Sequence, residues 1–383
     1  MEKSRKTRSG TYIKQPMGYV AFIPDDLPPK PPIAYDDELL QLLSDADRAL
    51  GRLDGAVDNV PSPEVFVFMF VRTEAVLSSQ IEGTQATLLD VLKHEAKPRA
   101  EKPTDDTQEV LNYITAMNYG LVRLDDLPVS LRLIREIHAE LMAGVRGENL
   151  HPGEFRRSQN WVGPPGSSIS TALYIPPPVH EMNQSLHALE AYIHDTSTVP
   201  ILIKAGLVHA QFETIHPFLD GNGRIGRLLI TLFLCEKGIL HRPLLYLSNY
   251  FMRTRQEYYE RLQAMRDSGE WEKWLKYFLQ GVAEVARDAT STARSIGELR
   301  ESHRQMIEQS LGRAAASGHA LLRTLFLKPI ISVRDAADIS GLSYSSANNL
   351  VARICELGIL EEISGFKRNR IFAYQPYLNL FRD

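Results

Sequence analysis

The twelve residues His216-Pro-Phe-Leu-Asp-Gly-Asn-Gly-Arg-Ile-Gly-Arg227 gather an imidazole, a carboxylate, an amide, two guanidinium groups and three glycines. Each has a use beside phosphate. His216 can take the proton of an attacking hydroxyl, Asp220 can hold a hard cation such as Mg²⁺, Asn222 can donate to an oxygen, and Arg224 and Arg227 can fork onto phosphate oxygens. Gly221, Gly223 and Gly226 stand just ahead of an apolar helical run, Leu228 to Leu234. A glycine turn entering a helix offers free backbone N–H groups and the positive end of the helix dipole, which together make a bed for phosphate. Ile225 lies in the same turn. The Gly-Lys-Ser/Thr ending of a Walker loop is missing, and the turn does not follow a strand as a dinucleotide fold requires.

A second cluster lies upstream in Ser78-Ser-Gln-Ile-Glu82-Gly83. The pattern predicts a helix ending near Ile81, with Gly83 as its cap. A carboxylate at a helix C-terminus opposes the macrodipole, so Glu82 calls for a compensating cation. Ser78, one turn back on the same face, is placed to hydrogen-bond that carboxylate.

These groups must be positioned by helices. Prolines 24, 28, 29, 31 and 32 predict an extended arm without regular structure until a helix starts near Tyr35. Apolar spacing then predicts helices from Pro63, with Ser62 as its cap, to about Ile81, and over 87–92, 107–124 and 131–145. A charged, proline-containing connection should fill 93–106, and an irregular Gly/Pro/Ser stretch 151–178. Helices dominate from Val179 to about Leu311, with the motif loop between one ending near Thr214 and one beginning near Asn222. Beyond Gly312, helical pieces over 332–343 and a helix from Tyr344 to Leu357 precede two β-like runs, 359–363 and 370–374. That order reads as a winged helix-turn-helix.

The loop resembles the Fic family signature H-x-F-x-D/E-G-N-G-R-x-x-R at every fixed position from His216 to Arg227, and 78–83 resembles the family's inhibitory pattern S/T-x-x-x-E-G/N. Phe155-Arg-Arg-Ser-Gln-Asn-Trp161 looks like the strand that opens the family's β-hairpin flap. The resemblance implies a mainly α fold: an N-terminal arm and helical region over 1–106, a Fic-type catalytic core with its flap over 107–296, and a winged helix-turn-helix domain over 297–383. It also implies a protein adenylyltransferase, which moves AMP from ATP to a Ser, Thr or Tyr hydroxyl of a protein, itself included. In that scheme His216 is the base and Asp220 holds Mg²⁺ between the α- and β-phosphates. Gly221 to Gly223 and Asn222 cradle the phosphates, Arg224 steadies the leaving pyrophosphate, and Arg227 meets the γ-phosphate. Tyr258 and Tyr259 belong to the adenine-side helix. Neighbours on a helix point about 100° apart, so one ring should face the base, and Tyr259 is the expected one. Glu82 is the implied inhibitor, claiming Arg227. Removal of AMP with Glu82 placing a water, and use of another nucleotide, are alternatives at the same site.

Composition narrows the partners. A formal charge of -4 over 383 residues gives no overall attraction to nucleic acid or anionic lipid. From Arg300 onward there are 11 Lys or Arg against 8 Asp or Glu. Lys367, Arg368 and Arg370 sit in the wing, and Ser343, Tyr344, Ser345, Ser346, Asn348 and Asn349 open the second helix. DNA and protein docking therefore stay equally open for this unit, as does a DNA-binding regulator with a nucleotide-sensing core. A homodimer stays open as well. Two cysteines, Cys235 and Cys355, each in an apolar stretch, read as buried free thiols in a reducing compartment. With no signal h-region and no long apolar run, a cytoplasmic protein is expected.

Overall fold

Residues 4–24, expected as an arm without regular structure, instead form an antiparallel sheet of β1 (Ser4–Lys6), β2 (Gly10–Lys14) and β3 (Val20–Pro24). Apart from Pro16 in a turn, the prolines begin only at the end of β3, so the ladder keeps its N–H donors. Tyr12 and Phe22 pair across β2 and β3 with rings 4.8 Å apart, and Ala21 and Phe22 are fully buried. The computed structural model describes residues 4–58, 63–96, 102–145, 149–164, 166–196, 198–365 and 369–381.

Helices α1 (Asp37–Asp58), α2 (Pro63–Ile81), α3 (Leu88–Ala96), α4 (Asp105–Arg123) and α5 (Leu131–Leu141) follow. The expected Ser62 cap lies outside the described residues. Thr104 and Ser130 cap α4 and α5 through their hydroxyls. α3 runs past the expected Leu92 because Glu95 in its last turn takes a two-pronged bond from Arg72, at 2.7 and 2.8 Å.

The core continues with α6 (Val179–His194), α7 (Ile201–Ile215), α8 (Asn222–Glu236), α9 (Ser248–Arg253), α10 (Arg255–Ser268) and α11 (Trp271–Leu311). α7 is buried from Leu202 to Ile215, as befits a helix enclosed by others on every side. The expected boundary at 296 falls inside α11, whose 41 residues span roughly 60 Å. Its first turns line the core and its last carry the C-terminal unit.

That unit contains α12 (Ala315–Leu325), β4 (Ile330–Ser332), α13 (Val333–Ser340), α14 (Tyr344–Glu356), β5 (Glu361–Glu362), β6 (Ile371–Ala373) and α15 (Gln375–Leu378). Gly341 in the left-handed region stops α13, and the Ser343 hydroxyl caps α14. The strands are shorter than expected, and β4, unanticipated, completes a β4-β6-β5 sheet. Arg370 is spoken for by Asn348 at 2.7 Å and Glu362 at 3.4 Å. Lys367 and Arg368 lie outside the described residues. The unit leans on α2: the Phe381 ring meets Phe70 edge-on at 5.7 Å, and the Tyr377 hydroxyl donates to Val65 O at 3.4 Å. Cys235 and Cys355 are free, and among the described residues no helix is long and apolar enough to cross a membrane.

Candidate active site

The last turn of α7, the loop 216–221 and the first turn of α8 bring the expected chemistry together. His216 closes α7 in the left-handed region at φ 49°, ψ 61°, which costs a non-glycine residue roughly 1–2 kcal/mol. The stretch 155–178, expected as a β-hairpin flap opened by a strand, forms no strand among its described residues and only an isolated Val162–Tyr174 bridge. It nevertheless holds the turn in place: Asn160 Nδ2 donates to His216 O (3.2 Å) and Phe218 O (2.8 Å), and Arg156 Nε donates to His216 O (3.1 Å). Burial pushes the imidazole pKa down to about 4, the Arg156 and Arg266 charges push the same way, and Glu82 opposes them. At neutral pH His216 is therefore unprotonated and able to accept a proton.

The loop is braced from below by His138 of α5, a residue with no local sequence signal. Its ring stacks on Phe218 at 3.7 Å. The Gly153 amide donates to its Nδ1 (2.8 Å), so Nε2 carries the proton and donates to Asp220 O (3.1 Å). Gly221 takes φ 80°, a left-handed conformation that strains any side chain, and a Cβ there would also press on the Met142 sulfur at 3.0 Å.

Asn222 differs from expectation. Its Oδ1 accepts from Phe218 N (2.8 Å) and its Nδ2 donates to Phe218 O (2.9 Å). These two bonds staple the loop, and the backbone amides at the start of α8 face the space beside it. Arg224 is buried, with Glu109 at 3.3 Å and Asp220 at 3.6 Å, while its Nε is buried and unpartnered. Such an orphaned donor suits an incoming phosphate oxygen. Glu109 also accepts from the Thr84 hydroxyl (2.9 Å), tying the loop after Glu82 to Arg224.

Arg227 is buried and makes three bonds toward α2. Nε donates to Ser78 Oγ (2.9 Å), and Nη2 donates to Ser78 O (2.9 Å) and Glu82 Oε1 (2.7 Å). The Ser78 hydroxyl, expected to reach the carboxylate, thus serves the guanidinium instead, because Arg227 Nε points between the two turns. Burial, the largest single influence, would raise the Glu82 pKa, but the charge and hydrogen bond of Arg227 together with the charges of Arg224 and His216 outweigh it and hold the carboxyl below its usual range. Glu82 also covers Gly223: a Cβ there would fall 2.2 Å from Glu82 Oε1. The carboxylate therefore occupies the anion bed at the start of α8.

Beneath the bed, His209 donates from Nδ1 to Gly226 O (2.9 Å) and accepts the Tyr258 hydroxyl at Nε2 (2.9 Å). Tyr258 is buried at 1% exposure, whereas Tyr259 is 43% exposed. Glu213 packs against Gly226, where a Cβ would meet its Oε1 at 2.2 Å, and that oxygen has no hydrogen-bond partner. Neither His209 nor Glu213 was singled out from sequence. A lone polar residue in an apolar helix looks the same whether it braces a site or sits idle.

Among the described residues no group of three His, Cys, Asp or Glu could hold a metal ion. The lone Asp220 carboxylate, 37% exposed beside the phosphate bed, fits Mg²⁺ delivered on nucleotide phosphates, which needs only one or two protein carboxylates.

Two family models match the chain, the Fic/DOC family N-terminal region over residues 40–122 and the Fic/DOC family domain over residues 128–234. The chain belongs to the Fic/DOC family. It is 28% identical over 212 residues to a probable protein adenylyltransferase of Aquifex aeolicus, across 54% of this chain and 58% of that protein. It is 31% identical over 172 residues to the protein adenylyltransferase Fic of Aedes aegypti, across 43% of this chain and 31% of that protein. The match thus spans less than two thirds of either relative. A Fic family protein from Desulfovibrio desulfuricans has the same fold, with a TM-score of 0.59 at 19% identity over 90% of this chain and 97% of that one.

Proposed function

We propose that this chain is a protein adenylyltransferase restrained by Glu82. The observation that carries the reading is the Glu82–Arg227 pair lying over Gly223, on the same loop and first helical turn that follow the unprotonated His216. With Glu82 withdrawn, Arg227 and the first amides of α8 can take ATP phosphates, and the orphan Nε of Arg224 gains an acceptor. His216 takes the proton from a Ser, Thr or Tyr hydroxyl of a protein as that oxygen attacks the α-phosphorus. The new O–P bond forms, the bond to the bridging oxygen breaks, and pyrophosphate leaves with the electron pair. Asp220 holds Mg²⁺, which supplies positive charge against the phosphates. Tyr259 lies open for the base, while Tyr258 is committed to His209.

The flap 155–178 offers its outer edge to the target, so that backbone pairing sets register and leaves side-chain choice loose. The chain itself is one acceptor. The test is incubation of the Glu82→Gly chain with labelled ATP, CTP, GTP and UTP in turn. Label carried over from ATP alone supports the reading, transfer from another nucleotide redirects it, and release of AMP from a modified protein without transfer favours the reverse reaction. DNA binding by the C-terminal unit predicts salt-dependent binding that survives His216→Ala.

A further inference from the structure

Arg156 is a buried cation satisfied by backbone alone. The side chain is 2% exposed, and its hydrogen bonds end on three carbonyls: Nη1 donates to Ser158 O (3.1 Å), Nη2 to Pro177 O, and Nε to His216 O (3.1 Å). Its own amide donates to Pro217 O at 2.9 Å. Ser158 and Pro177 are the two roots of the flap, and His216 is the candidate base. One rigid guanidinium fork therefore joins three segments that are distant in sequence. An apolar residue of similar volume would fill the space without burying a charge, so packing alone does not explain an arginine here.

We propose that Arg156 is a positioning residue that locks both roots of the flap to the His216 carbonyl, so that an acceptor strand laid along the flap meets the imidazole in register. The inference rests on the reading of His216 as the base. Its charge has a second consequence. The groups that act on the imidazole are Arg156 from the flap, Arg266 from α10, Glu82 from the end of α2 and the Glu213 carbonyl from α7. Of these, Arg156 is the strongest charge disfavouring protonation.

The test uses the full chain carrying Glu82→Gly, with and without Arg156→Gln or Arg156→Lys. Arg156→Gln is expected to lower kcat for protein modification about tenfold to a hundredfold, with Kd for ATP within about twofold. Its acid limb should move up by about one pH unit as the cation is lost. Arg156→Lys keeps the charge but not the fork, so the limb should stay while KM for the acceptor rises. NMR titration of the His216 imidazole, assigned with His216→Ala, reads the same pH shift without any transfer. A reference chain that transfers nothing thus overturns the proposed function and still leaves the Arg156 inference decided. Equal titration of His216 with and without Arg156, a reference rate in Arg156→Gln, or a parallel fall in ATP affinity and melting temperature with the limb unmoved would each make Arg156 a mere brace and overturn the inference.

Discussion

Glu82 Oε1 accepts from Arg227 Nη2 at 2.7 Å, and the same oxygen sits where a side chain on Gly223 would have to go. A phosphate entering the bed at the start of α8 meets a carboxylate already there, and the two anions compete for one guanidinium. Glu82→Gly should therefore raise AMP transfer at least about tenfold and tighten ATP binding, within the range of one to three kcal/mol usual for such coupling. Rates with labelled ATP and calorimetry check both. An unchanged rate in normally folded protein removes the brake.

Glu74 and Ser78 stand one turn apart on one face of α2, and Glu82 follows just past its end. Glu74 is buried and accepts from the Ser248 amide (3.1 Å) and the Tyr113 hydroxyl (3.2 Å), pinning α2 to α9 and α4 above the point where Ser78 holds Arg227. Glu74→Gln keeps the shape but weakens this grip. The expected result is a melting temperature lower by about 2–4 °C, together with a several-fold rise in basal transfer. A fall in stability with no rise in transfer would separate α2 anchoring from the brake.

Glu213 gives a pH-dependent prediction. Burial raises its pKa from 4.5 to about 7, against the opposing Arg227 charge, with Glu82 adding to the rise. The folded chain keeps a proton that the unfolded chain has already released, so this group's stability is full below pH 4.5 and is lost as pH rises through about 7. Glu213→Gln stays neutral throughout. Its melting temperature relative to wild type should climb between pH 4.5 and about 7 and then level off. Thermal melts across that window decide it, and a constant difference would falsify the assignment.

The two adjacent tyrosines should part company. Tyr259→Ala removes the open ring and should raise KM for ATP about tenfold, the usual worth of one base–aromatic stack. Tyr258→Phe loses the hydroxyl bond to His209, so it should lower the melting temperature while leaving KM within about twofold. Equal effects on KM would contradict the division of labour.

The phosphate loop was legible in sequence because its chemistry is local: base, carboxylate, guanidiniums and glycines fall within one turn and two helix ends. Glu82 was legible because a carboxylate at a helix C-terminus is out of place on its own terms, and Arg227 answers it in the fold. Ser78 lies in the expected neighbourhood but serves Arg227 rather than the carboxylate, and Asn222 has the additional task of holding Phe218, since side-chain direction depends on which turn packs against which. Glu74, Glu109, His209 and Glu213 act through residues far away in the chain, so no window of sequence reveals them, and Arg156, though inside the stretch 155–161 read as a strand, reaches His216 O only across 60 residues. The N-terminal sheet was obscured by the proline run that follows it, although Tyr12 and Phe22 lie in short apolar stretches ahead of those prolines.

The most direct test of the central claim is intact-mass measurement of the Glu82→Gly chain after incubation with ATP and Mg²⁺, beside the same chain also carrying His216→Ala. An AMP adduct on the first and none on the second is the expected result. An adduct that persists without His216, or none on either chain while calorimetry records ATP binding, would contradict the account.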